Sequence, residues 1–94
     1  MNMFSIRVEL GGANSADYSA LAEDLGHLGI IDVITGDNGG RYKMSPGEYN
    51  YVGSKTFDQV YSDAMACAGL IEKPYSVTMA AVTKWQWTGL EILY

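Results

Sequence analysis

The sequence predicts an α+β domain with one antiparallel sheet carrying two helices on one face. Three observations predict it. Residues 3–10 alternate apolar and polar side chains, two later segments repeat apolar residues at helical spacing, and glycine-rich punctuation separates the β-prone runs.

The first strand runs from Met3 to Leu10. Phe4, Ile6, Val8 and Leu10 share one face, and Ser5, Arg7 and Glu9 share the other. Gly11 and Gly12 close it. Asn14 or Ser15 then caps a helix whose core stripe is Tyr18, Leu21, Ala22, Leu25 and Leu28. Asp17 sits in its first turn, where a negative charge favours the helix dipole, and Gly29 is the expected C-cap.

Ile30 to Thr35 is a β-branched second strand. The run Gly36 to Gly40 reads as a hairpin turn, because Asn-Gly and Gly-Gly accept positive φ. Arg41 to Met44 returns as a strand. Ser45-Pro-Gly47 interrupts it as a bulge or second turn, since proline offers no ladder N–H. Glu48 to Val52 resumes with Tyr49 and Tyr51 on one face.

Thr56 to Gln59 has the capping-box pattern that opens a second helix. Its expected buried stripe is Phe57, Val60, Tyr61, Ala64, Met65 and Ala68, with Gly69 as C-cap. Tyr75 to Val82 alternates as a strand, and the tail after Lys84 reads as a further short strand or a hairpin. Trp85 and Trp87, if in a strand, share one face. The order β-α-β-β-α-β is the split βαβ, ferredoxin-like two-layer arrangement, with a single domain over residues 1–94. It leaves the sheet's second face open to a partner.

Eleven acidic against six basic residues give a net charge of −5. That opposes nonspecific nucleic-acid binding, which relies on clustered Lys and Arg, and suits docking on a basic partner. The single cysteine, Cys67, fits a reducing compartment. No apolar run reaches the ~20 residues of a membrane helix. A basic-then-apolar leader is not seen at the N-terminus, so the expected location is cytoplasmic.

No catalytic constellation emerges. One Cys and one His fall short of a zinc site, so no metal or cofactor is expected. Asp32 and Asp37 near the hairpin are more simply a water-facing carboxylate and a turn residue than a cation site. Cys67 has alanine neighbours and reads as structural. The glycine run leads into a strand and lacks the helix N-terminus of a phosphate loop. Arg7, Arg41 and Lys43, with Tyr49 or Tyr51 stacking a base, are the best RNA-contacting set. Alternation places Arg41 and Lys43 on a face that Tyr42 does not share.

The segments MFSIRVEL, DYSALAEDLGHLGI, GDNGGRYKMSPGEYNYVG and SVTMAAV resemble the GhoS-like endoribonuclease antitoxins of type V toxin–antitoxin systems. The resemblance covers most of the chain as pattern and short similarities. It implies a ferredoxin-like fold, related to the small CRISPR spacer-acquisition nuclease subunits, and cleavage of a toxin's messenger RNA. At the family's activity-linked arginine this sequence aligns Gly26, within an acidic helix.

The expected function is therefore a small acidic inhibitor or antitoxin of a phage, plasmid or other mobile element. It would dock on a basic protein or ribonucleoprotein complex, in the manner of an anti-CRISPR or other anti-defence protein. The mobile-element setting comes from the resemblance. The expected contact residues are Asp32, Asp37, Arg41, Glu48, Tyr49, Tyr51, Trp85 and Trp87. The alternative is a sequence-selective endoribonuclease or RNA binder using Arg7, Arg41 and Lys43. A homodimer pairing through sheet edges is a third reading.

Overall fold

The alternation over residues 3–10 becomes β1 (Asn2–Leu10), the central strand of a sheet. The computed structural model describes residues 1–93. On either side of β1, both antiparallel, lie β4 (Glu48–Gly53) and β5 (Tyr75–Ala81). A second three-stranded antiparallel sheet joins β2 (Val33–Thr35), β3 (Arg41–Lys43) and β6 (Glu91–Ile92), in that order. The molecule is thus an α+β domain with two helices and two sheets, where the sequence led us to expect one sheet.

The helices are α1 (Ser15–Gly26) and α2 (Phe57–Leu70). Asn14 caps α1 through a capping box with Asp17, and Thr56 caps α2 through one with Gln59. Each box satisfies two backbone N–H groups that a helix start otherwise leaves unpaired. α1 ends in a Schellman turn. Ile30 N–H donates to Leu25 O, Gly29 N–H donates to Gly26 O, and Gly29 takes a φ of 80°. The expected C-cap at Gly69 is not used; α2 runs one residue further, and Glu72 adopts the positive φ beyond it.

Both helices cover the same face of the main sheet. Phe4, Ile6, Val8, Leu10, Tyr49 and Tyr51 meet Leu21 and Leu25 of α1 and Val60, Ala64 and Ala68 of α2 in one buried cluster. Cys67 belongs to that cluster too. The stripe expected for α2 is rotated: Phe57, Tyr61 and Met65 stay more than a third exposed, and Cys67 takes the inward position. Phe57 still reaches Phe4 edge-on, with ring centroids 5.3 Å apart.

Why the hairpin leaves the main sheet can be traced to one residue. The segment before β2 touches β4 at one place, where Ile31 and Asn50 exchange backbone hydrogen bonds of 2.9 and 2.8 Å. The Asn50 side chain, buried among apolar groups, donates to Val33 O at 2.8 Å and to Ile31 O at 3.3 Å. It thereby satisfies the Val33 carbonyl as the two sheets diverge. Asn50→Ala is expected to cost about 1–3 kcal/mol, the usual result of orphaning a buried carbonyl. A thermal melt reads the loss, and faster amide exchange confined to β2 and β3 locates it.

The tail also differs from expectation. Residues 82–90 form no strand, and Trp85 and Trp87 share no sheet face. Trp85 Nε1 donates to the Met3 sulfur on the outer face of the main sheet. Trp87 packs edge-on against Tyr42 of the second sheet, centroids 5.4 Å apart. The two indoles, each half-buried, guide the chain across one end of the outer face so that β6 can pair with β3. Part of the face expected to be open is therefore covered by the protein's own tail.

Candidate functional site

A cavity of about 560 Å³ opens where the start of α1 faces the connection from β3 to β4. Tyr18, Ala22, Asp32, Lys43, Pro46 and Tyr49 line it, and the turn before β6 closes its far side. Tyr18 is fixed by accepting a hydrogen bond from Leu10 N–H at 2.9 Å. Ser45 to Glu48 forms a tight turn, closed by Glu48 N–H donating to Ser45 O at 3.0 Å, with Gly47 at a φ of 83°. That is a type II turn, which favours proline second and glycine third.

Asp32 and Lys43 form an ion pair on the cavity's rim. Asp32 is thus tied to the neighbouring strand while its side chain stays 31% exposed. Asp37 lies on the exposed hairpin turn, where Gly36 N–H donates to Gly40 O and Gly39 has a φ of 82°. Among the described residues no group of three or more His, Cys, Asp or Glu gathers as a metal site.

Tyr49, 2% exposed, has its phenol pKa pushed up to about 12. Burial is the main cause, followed by the Asp32 carboxylate and the Tyr18 phenol. A phenol so shifted stays neutral at physiological pH and is a poor general base. Its neutral form is favoured by folding, so this stabilisation is fully present below pH ~10, the unfolded value. It is lost as pH rises through about 12. Titration of tyrosinate absorbance is expected to show a step near pH 12 that Tyr49→Phe removes.

The cations read as an RNA-contacting set fall on different sheets. Arg7, on the outer face of the main sheet, bonds Glu9 at 2.9 Å and lies 3.8 Å from Glu48. Lys43 is held by Asp32, and Arg41 stands at the hairpin end of β3 beside Thr35. Lys55 pairs with Asp63 at 3.0 Å and Lys73 lies 3.8 Å from Asp17. Among the described residues, Arg7, Lys43, Lys55 and Lys73 each have a carboxylate partner.

Tyr49 and Tyr51 point into the core, Tyr51 with its hydroxyl accepting from Lys55 N–H at 3.0 Å. Neither presents an open ring for stacking on a base or a partner. Cys67 sits in the seam between the helices. Burial raises its thiol pKa, and Asp24 and Asp63 raise it further. His27 is exposed just past α1, far along the chain and on another element from that thiol.

The acidic character legible in the first helix extends across both helices. α1 and α2 together carry Asp17, Glu23, Asp24, Asp58 and Asp63 and not one Lys or Arg. Glu23 and Asp24 occupy the last turn of α1, which has no basic residue, and neither takes part in an ion pair among the described residues. A negative charge there opposes the helix dipole. The signal was legible in the segment AEDLG once the helix was placed.

No protein-family model matches the chain, and comparison with curated proteins gives no match. Among the described residues no helix is long and apolar enough to cross a membrane.

Proposed function

We propose that the chain is a small acidic binding protein that docks its helical layer on a basic, nucleic-acid-handling protein complex. One observation carries this reading. The helices hold five carboxylates and no cation, and two of the carboxylates sit at the end of α1, where they cost stability. Charges kept where folding disfavours them point to a partner that uses them. Both helices lie on one face of the sheet; Lys73 and Lys55 pair with Asp17 and Asp63, so the acidic surface offered to a basic partner rests on Glu23, Asp24 and Asp58.

The biological setting is an inhibitor or antitoxin of a phage, plasmid or other mobile element, of the anti-CRISPR or other anti-defence type. The GhoS-like resemblance supports that setting. A ferredoxin-like assignment belongs to the same proposal. The Ile31–Asn50 bridge, an antiparallel contact of the segment before β2 with β4 beside the order β4, β1, β5, supports that assignment. The second sheet and the tail are then elaborations of it.

The test is capture of partners from a host lysate by the chain and by a form with Glu23 and Asp24 reversed to lysine. A basic protein or ribonucleoprotein retained at low salt, released by added salt and lost on charge reversal supports the reading. Cleavage of RNA by the purified chain, with no protein captured, replaces it by the endoribonuclease alternative.

A further inference from the structure

The main sheet has two outer edges: that of β4 meets the segment before β2 at the Ile31–Asn50 bridge, and that of β5 meets no described segment along its length. Proteins ordinarily protect such an edge with a charge, a proline, a bulge or a covering segment. The seven residues of β5, Tyr75 to Ala81, contain no charge and no proline, and pair with β1 without a bulge.

Which backbone groups face outward follows from the ladder. Val82 N–H donates to Met3 O at 2.9 Å, and Gly11 N–H donates to Pro74 O at 2.7 Å. Since polar groups alternate sides along a strand, the even-numbered residues of β5 turn theirs toward β1. Tyr75, Val77, Met79 and Ala81 then present their N–H and C=O groups at the free edge.

We infer that this edge pairs with the same edge of a second copy of the chain, antiparallel about a twofold axis at Thr78. In that register Tyr75 faces Ala81 and Val77 faces Met79, so every outward N–H and C=O meets a partner. Thr78 faces Thr78, and Ser76 faces Ala80, so the outer side brings only small side chains together. Charges of opposite sign flank the strand as well: the twofold brings the end that carries the exposed Glu72 of one copy to the end that carries the exposed Lys84 of the other, twice by symmetry. Such self-complementarity is what an isologous interface needs.

The packing beside the edge agrees. Lys55 joins Asp63 of α2 to the Leu28 carbonyl at the end of α1, so the Asp63 flank of α2 faces α1. The opposite flank, with Tyr61 and Met65, lies on the β5 side, 37% and 39% exposed. Val77 and Met79 are only half-buried beneath it. A second copy would cover this apolar strip and turn two three-stranded sheets into one of six strands.

Sedimentation of the full chain over a range of concentrations tests the proposal. A monomer–dimer equilibrium is expected, with nothing larger, because a twofold interface closes. Thr78→Lys, on an exposed position, opposes two like charges at the axis and is expected to raise the dimer dissociation constant about tenfold or more, with an unchanged far-UV spectrum. Thr78→Cys is expected to cross-link to itself under mild oxidation, since a directly opposed non-hydrogen-bonded pair has Cα atoms about 4.5 Å apart. A chain that stays monomeric at concentrations on the order of 1 mM, open-ended oligomers, or Thr78→Cys cross-linking no faster than Ser62→Cys on the far side of α2 overturns it. The dimer is independent of the acidic surface, and reversal of Glu23 and Asp24 leaves it intact.

Discussion

Gly47→Ala is expected to lower the thermal unfolding midpoint by roughly 10–25 °C, on the scale of about 4–8 °C per kcal/mol for a domain of this size. Two costs combine. Gly47 holds a φ of 83°, where an L side chain costs about 1–2 kcal/mol. A Cβ there would also stand 2.7 Å from the Val8 carbonyl oxygen, which is backbone and cannot swing aside. Relief requires the turn to move away from β1, which strains the hydrogen bond from Val8 N–H to Gly47 O, now 2.8 Å. The sum is about 2–4 kcal/mol, a large share of the stability of a small domain. Pro46→Ala serves as the control: it keeps the glycine and is expected to cost well under half as much. Equal melting of wild type and Gly47→Ala would show that the turn is not held against β1 in solution.

That turn also shows where sequence reading stops. Pro46 followed by Gly47 marks a turn by its own chemistry, and both capping boxes and the Gly29 terminus are equally local signals. The approach of Gly47 to Val8 is not local, because it depends on how β1 and β4 pair. The second sheet was hidden for a similar reason. Ile30 and Ile31 look like the start of a strand, yet only Ile31 pairs with β4, and the buried amide of Asn50 takes up the carbonyl where the chain departs. Asn50 lies between two tyrosines in a strand and carries no pattern that announces this role. Alternation correctly put Tyr49 and Tyr51 together, but it does not say which face is inward; packing under α1 and α2 decided that. Trp85 and Trp87 both anchor the tail, though each on a different sheet, which i, i+2 spacing alone does not indicate. The acidic helical layer was legible in composition and became a surface only when both helices were placed on one side.

Reversing Glu23 and Asp24 to lysine is expected to weaken partner binding on the order of 10–100-fold while leaving the fold as stable as before or slightly more so. The two effects have opposite signs for one physical reason. At the end of α1 the unpaired carbonyls make a partial negative charge, so carboxylates are repelled and ammonium groups attracted, by about 0.3–1 kcal/mol each. Folding therefore gains from the change. Binding to a basic surface loses, because each reversal shifts the charge by two and moves the net charge from −5 to −1. The loss is expected mainly in the association rate, and it should shrink as salt is raised, since attraction between exposed charges is screened over about 8–10 Å near physiological ionic strength. Asp58→Asn is the informative comparison. Asp58 sits in the first turn of α2, where its charge favours the dipole, so its neutralisation should lower binding and stability together. Loss of binding with a raised melting temperature in the first variant, and with a lowered one in the second, separates a docking surface from a merely folded one. Unchanged affinity in both would remove the helical layer from the interface and return attention to the cavity beneath Tyr49 and the Asp32–Lys43 pair.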